Sequence, residues 1–409
     1  MSGLLHMFEA IADVGRNPGT GGYRRFVWTG ADLTLREWFT GEATRRGLDV
    51  HVDRNGNQWA WWGDPTAGDA LVLGSHLDSV PEGGAYDGPL GVLSAFAAVD
   101  EVRARGLAPT RPVAVVNFVD EEGARFGIAC AGSRLLTGSL DPDTARALRD
   151  RDGATMADVL RKIGRDPDHL GRDDEVLGCV GTFVELHVEQ GRDLVHRGRP
   201  VGVGSQIWPH GRYRFDFTGE ANHAGTTVMA DRRDPMLTYA ATALAAHLTA
   251  AGEDGLGTDL RATFGRVEVT PNGTNAVPSQ VRAWLDARAA DEKALQALVD
   301  EVSRCAEEAA GGDRTEVRMT PESVSPATGF APDLIDRLAA RLGDAPVIPT
   351  GAGHDAGVLA LAGVPTAMLF VRNPTGVSHS PAEHAESEDC LAGVAALADC
   401  IHDLAGGAA

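Results

Sequence analysis

ALVLGSHLD, residues 70–78, passes from an unbroken aliphatic run straight into Ser75, His76 and Asp78. Apolar side chains on successive positions, with no polar alternation, suit a strand covered on both faces. Two further segments have the same grammar, PVAVVNFVDEEG (112–123) and VGTFVELHVEQG (180–191). Stretches of helical character lie among them at 89–105, 132–150 and 154–164. Strands alternating with helices make an α/β fold, a largely parallel sheet flanked by helices. In such sheets ligands lie beyond the carboxyl ends of the strands, where His76, Asp78, Glu121, Glu122 and His187 all fall.

A different rhythm begins near residue 211. YRFDFTG (213–219), ATFGRVEV (262–269), QVRAWLDAR (280–288) and TEVRM (315–319) read as strands, and PMLTYAATALAAHL (235–248) and 291–310 as helices. In the second helix Ala294, Leu295, Leu298, Val302 and Cys305 share one face. The order β-α-β-β-α-β is a complete small domain, the ferredoxin-like split βαβ plait. The chain then returns to helix 331–342, a short strand near 346–349, strand PTAMLFV (365–371) and a last helix over 388–404. One α/β domain in two pieces, 1–210 and 326–409, is therefore expected around an inserted domain, 211–325.

The chain has 409 residues and a formal charge of −21, from 37 basic and 58 acidic side chains. So acidic a surface repels phosphate backbones and anionic lipid, and no basic patch offsets it, so neither a nucleic-acid nor a membrane partner is expected. No apolar run reaches the roughly 18 residues of a membrane span, and Glu9 and Asp13 stand where a signal peptide would stay apolar. The cysteines Cys130, Cys179, Cys305, Cys390 and Cys400 form no C-x-x-C pair, which suits a reducing cytoplasm. WAWW (59–62) reads as a packed strand or hairpin edge.

Five motifs carry chemistry. H-L-D places Asp78 where its carboxylate can hold the far nitrogen of a ligating His76, and the Gly-rich loop EGGAYDG brings Asp87. The alternative is a satisfied polar pair. In D-E-E-G successive side chains point to opposite sides, so one of Glu121 and Glu122 can ligate a cation while the other faces substrate as a base; a solvated charged turn is the alternative, and Asp120 is assigned to it. E-L-H-V-E-Q-G sets His187 on one strand face with Glu185 and Glu189, and G-V-S-H-S-P-A-E carries His379 in a loop. Three imidazoles and two or three carboxylates suffice for two metal ions.

This succession resembles the dinuclear-metal amidohydrolases of the M20 peptidase-like superfamily, and within it the allantoate amidohydrolase and N-carbamoyl-L-amino-acid hydrolase (hydantoinase/carbamoylase) branch. A His at position 187 followed by E-Q-G, where peptidase members usually carry a carboxylate, points to that branch. The resemblance implies a metal-dependent exopeptidase-like α/β domain whose inserted plait serves as lid and homodimer interface. It implies two divalent transition-metal ions per subunit, Mn or Zn before Co or Ni, with His76 and His187 on one, Glu122 and His379 on the other and Asp87 bridging. Glu121 becomes the general base and Asp78 the partner of His76. In the plait, His223 is implied to stabilise the oxyanion of the partner subunit's reaction, and Asn275 with Arg288 to bind the substrate carboxylate. A surface Arg288 paired with a nearby acid is the alternative. Gln190 either contacts substrate or caps a turn, and His354 either contacts substrate or bonds Asp355.

The function so implied is metal-dependent cleavage of a ureido or carbamoyl C–N bond in a small carboxylate, with release of ammonia and carbon dioxide. Allantoate is favoured as substrate, an N-carbamoyl-L-amino acid stands second, and an aminoacylase or dipeptidase third. A non-catalytic acid-binding dimer is the reading from another class, and every position needed for chemistry is filled against it. Val228, Arg372 and Asn373 depart from common family residues near the expected substrate position, so they bear on substrate identity.

Overall fold

The computed structural model describes residues 3–252 and 259–406. The chain forms two compact units, Met1–Gln206 with Gly329–Ala409, and Ile207–Thr328.

The first unit is built on a nine-stranded sheet. Its centre is four parallel strands in the order Val113–Phe118, Ala70–His76, Val180–Val188 and Thr366–Val371. Nearly every residue of these strands is buried, which is why their sequences show no alternation. Antiparallel strands close both sides, Gln58–Trp62 and Asp49–Val52 on one and Val201–Ile207 on the other. Parallel register brings the chemical residues level. Gly74 pairs with Glu185, so His76 and His187 each lie two residues beyond one pair on neighbouring strands, at the same sheet end.

Helix Pro89–Ala104 is buried almost all round and packs between the sheet and the last helix, Ser387–Ala405. The helix expected at 132–150 is two, Ala131–Thr137 and Pro142–Ala147. Gly138 ends the first in a left-handed conformation, and Asp141 caps the second by accepting the Thr144 N–H ahead of Pro142. Helices Gly3–Ile11, Gly30–Arg45 and Asp355–Leu361 and strand Val201–Ile207 add to those foreseen.

One buried turn anchors the WAWW hairpin. The Asp53 carboxylate accepts the backbone N–H groups of Asn55, Gly56 and Asn57 on Oδ1, and Asn57 Nδ2 and Trp59 Nε1 on Oδ2. Replacing Asp53 by alanine removes the acceptor of five buried donors, of which Gly56 N–H and Asn57 Nδ2 keep another in the Asp53 and Gly132 carbonyl oxygens, so we expect a loss of about 3 kcal/mol in unfolding free energy, read by urea denaturation. A change under about 0.5 kcal/mol would mean that the donors find other partners.

The second unit is the plait. Its sheet runs Glu316–Ser325, His210–Thr218, Gln280–Ala289, Leu260–Thr270, all antiparallel, with helices Pro235–Ala251 and Glu292–Asp313. Residues 280–289 alternate strictly, sending Val281, Ala283, Leu285 and Ala287 into a core with Phe215, Phe217, Leu295, Leu298 and Val302. The last strand extends to Ser325, six residues past the expected end. Cys305, expected on the buried face, is only half-buried, and Val299 and Ala306 take that face instead.

Candidate metal centre

His76 ends its strand, and the loop that follows folds back over it. Gly88 makes this possible. Its φ is +82°, and a Cβ there would stand 2.4 Å from the His76 ring. Asp87 is thereby set against both strand histidines, with Oδ1 3.5 Å from His76 Nε2 and 3.0 Å from His187 Nε2. Its other oxygen, Oδ2, lies 3.4 Å from His379 Nε2, and Glu122 Oε2 lies 3.6 Å from the same nitrogen. Two groups of candidate ligands result, His76–Asp87–His187 and Asp87–Glu122–His379, each with its ligand atoms within 4.8 Å of one another. They share Asp87.

The donors fit a cation. His76 Nδ1 faces the Asp78 carbonyl oxygen at 3.2 Å and His187 Nδ1 faces the Val188 carbonyl oxygen at 2.9 Å, which places the ring proton on Nδ1 and aims Nε2 inward. Both Nε2 atoms are buried without a protein hydrogen-bond donor, and Asp87 Oδ1 stands 3.0 Å from that of His187. A separation of about 3 Å between N and O is what two ligands on one ion at roughly 2.1 Å produce. The electrostatics agree. Burial opposes charge on His187, but the Asp87 carboxylate outweighs it and lifts the imidazole to about 9. Burial likewise works against an ionised Asp87, and His187 and His76 overcome it, holding the carboxyl well below its ordinary range.

Glu121 is buried, with Oε2 3.7 Å from His76 Nε2 and Oε1 accepting the Cys130 thiol at 3.3 Å. Burial pushes its carboxyl well up, only partly offset by His76. Burial also lifts Glu122 to about 8, with Asp87 adding to the rise. Asp78 joins the first two segments, since its oxygens accept the backbone N–H of Glu121 and of Glu122, both at 3.1 Å. Its Oδ1 is 3.5 Å from His76 Nδ1, farther than its own carbonyl.

Two expectations need correction. Strand alternation does not separate Glu121 from Glu122, because the strand ends at Phe118 and the acids lie in a turn with Asp120 at φ +52°. Asp120 is not solvated. It is buried, and burial drives its carboxyl well up. Arg372 and Asn373 are engaged within the fold. Arg372 grips Asp389 with Nε and Nη2 at 2.8 and 2.9 Å, and Asn373 Oδ1 accepts Thr375 and Gly376 N–H groups at 3.0 Å.

Gln190 Nε2 donates to Asp87 Oδ2 at 2.9 Å. His354 is buried, its ring centroid 4.5 Å from that of His187, its Nε2 without a partner, and burial beside His187 keeps it neutral. In the plait, His223 is exposed and its Nδ1 accepts the Gly225 and Thr226 N–H groups, which leaves the proton on Nε2. The Asn275 backbone lies beside it, its carbonyl accepting the Ala224 N–H. Arg288 holds Asp286 through Nε at 2.7 Å and Nη2 at 3.1 Å. Sequence reasoning gave no role to Glu383, which accepts the backbone N–H of Tyr86 and Asp87. The final E of S-H-S-P-A-E was its only signal.

An α/β sheet whose strand ends and following loops gather imidazoles and carboxylates into two candidate ligand groups is the frame of a metal site. The chain belongs to peptidase family M20/M25/M40, whose sequence model matches residues 72–403. It is 36% identical to an N-carbamoyl-L-amino acid amidohydrolase of Geobacillus stearothermophilus, over 99% of this chain and 98% of that one. To the allantoate amidohydrolase of Escherichia coli strain K12 it is 32% identical, over 98% and 99%. A solved hydantoinase/carbamoylase family amidase from Burkholderia ambifaria superposes with a TM-score of 0.84 at 31% identity, covering 99% of this chain and 98% of that one. Its likeness within the family is thus to the branch of hydrolases acting on carbon–nitrogen bonds other than peptide bonds.

Proposed function

We propose that the protein hydrolyses a terminal ureido or carbamoyl C–N bond of a small carboxylate, releasing ammonia and, through an unstable carbamate, carbon dioxide. Allantoate is the favoured substrate and an N-carbamoyl-L-amino acid the next. The observation that carries this reading is Glu121, a buried carboxyl raised in basicity beside two ligand groups that share one carboxylate. Two divalent ions, Mn or Zn by ligand chemistry, held by His76, Asp87 and His187 and by Asp87, Glu122 and His379, would acidify the attacking water and polarise the carbonyl.

Glu121 accepts a proton from the attacking water and returns it to the leaving nitrogen. Asp78 fixes both glutamates through their backbone N–H groups, so the base and the ligand beside it keep their separate directions. Gln190 serves Asp87 before it serves substrate. With its proton on Nε2, His223 is a neutral donor suited to a developing oxyanion, the role the family resemblance gives it. Arg288 and Asn275 take the substrate carboxylate in the same reading, Arg288 exchanging one carboxylate partner for another. A cytoplasmic location suits the five free cysteines. No helix among the described residues is long and apolar enough to cross a membrane.

The test is ammonia release by Mn-reconstituted protein from allantoate, several N-carbamoyl-L-amino acids and, with an amine readout, N-acetyl-amino acids. Strong turnover of one ureido compound supports the reading. Activity on the N-acyl compounds alone moves the protein to the aminoacylase class, and silence with ions bound favours an acid-binding dimer.

The plait also supports a homodimer. On helix Pro235–Ala251 the leucines Leu237, Leu244 and Leu248 share one face, each at least half exposed, beside edge strand Leu260–Thr270. Charging that face with Leu244→Asp and Leu248→Asp together is expected to shift the protein from dimer to monomer in sedimentation. A variant that stays dimeric would place the interface elsewhere.

A further inference from the structure

Glu383 stands outside both ligand groups, yet its hydrogen bonds hold the backbone of Asp87, the residue they share, and the serine beside it. Glu383 is buried, and its Oε1 accepts the backbone N–H groups of Tyr86 and Asp87, both at 2.9 Å. Its Oε2 lies 3.2 Å from Ser378 Oγ, and that hydroxyl lies 3.2 Å from Asp87 Oδ2. Gln190 Nε2 reaches Asp87 Oδ2 at 2.9 Å and Ser378 Oγ at 3.1 Å. One serine hydroxyl has one proton, so it serves one of the two carboxylates at a time, and the Gln190 amide supplies the second donor that Asp87 needs.

The arrangement is lopsided. His76 and His187 are buried at the ends of parallel strands, which hold them whatever Glu383 does. His379 stands outside those strands. Its side chain is 52% exposed, its φ is +55°, and it sits in the loop that runs from Ser378 to Glu383. Glu383 therefore ties the backbone of Asp87 to the loop that carries His379. We infer that Glu383 is a positioning residue that sets Asp87 and His379 jointly and thereby governs cation binding at the Asp87–Glu122–His379 group more than at the His76–Asp87–His187 group. The inference rests on the two-cation reading above.

The fold supplies an independent way to move Glu383. A Cβ on Gly84 would stand 2.3 Å from Glu383 Oε1 and 2.5 Å from its Cβ, so Gly84→Ala displaces the side chain while leaving it present. The experiment is calorimetric titration of Mn²⁺ into chelator-stripped full-length protein, with ion content after dialysis as a second readout. The wild type is expected to take two equivalents. Glu383→Ala and Gly84→Ala are each expected to keep the first and to weaken the second by about 10- to 100-fold. Glu383→Gln keeps an Oε1 acceptor for both backbone N–H groups and is expected to restore the second. Glu122→Ala, which deletes a ligand of that group, gives the reference loss. Two equivalents of wild-type affinity in Glu383→Ala and Gly84→Ala would overturn the inference, and Gly84→Ala decides alone if the other does not fold. Wild-type protein that takes only one ion would overturn the two-cation reading, and this inference with it.

Discussion

Glu121→Gln is expected to lower turnover of the ureido substrate by about a thousandfold, within the range of lost proton-transfer catalysis, while both ions stay bound. The glutamine has nearly the same shape and keeps an Oε1 acceptor for the Cys130 thiol. The backbone N–H of residue 121 still reaches Asp78 Oδ1, so the turn that aims Glu122 is undisturbed. What disappears is the group proposed to take the proton. Burial makes that group far more basic than an ordinary glutamate, as a base collecting a water proton needs, and an amide cannot replace it. Turnover should therefore fall with KM little changed, and metal analysis should read wild-type content. Turnover within about tenfold of wild type, with the ions in place, would move the base to another carboxylate of the site.

The sequence made the strand-end residues legible because their strands are parallel and buried. An apolar run has one place to stop, and neighbouring parallel strands stop at the same sheet end, so His76 and His187 meet without any knowledge of loops. Asp87 and His379 were legible through motif order alone, since their approach depends on Gly88 and on a left-handed residue in the second loop. Asp120 shows the limit. Three acids in succession read as a solvated turn, but the backbone turns at φ +52° there and takes the first of them inside. Pairwise geometry was hidden as well. Nothing local says that Arg372 will hold Asp389, or that Glu383 will reach back 296 positions to the Asp87 amide. Such bonds are set by which elements the sheet order brings together. The break between Ala131–Thr137 and Pro142–Ala147 is the opposite case, because Gly138, Asp141 and Pro142 are stop, cap and start signals that the sequence displays.

Stripping the ions with a chelator is expected to abolish turnover, restored by Mn²⁺, and to lower the unfolding temperature more at about pH 9 than at about pH 6. Without a cation the site binds protons in its place. Glu122 titrates at about 8 in the folded protein against an ordinary 4.5, with burial as the main cause. His187 titrates at about 9 against an ordinary 6.5, where Asp87 overrides the opposing effect of burial. In both windows the folded chain holds more protons than the unfolded one, so the ion-free protein loses stability as pH rises from roughly 4.5 to 9. A divalent ion supplies the positive charge that those protons supplied. At low pH it must displace them, and its net gain is small; at high pH they are already gone, and its gain is full. Binding should therefore release protons near neutrality and fewer above about pH 9, measurable by titration calorimetry in buffers of different ionisation enthalpy. Equal shifts in unfolding temperature at both pH values would mean that the ions do not replace protons on Glu122 and His187. Turnover that survives complete removal of metal would instead show that the reaction does not depend on the two ligand groups.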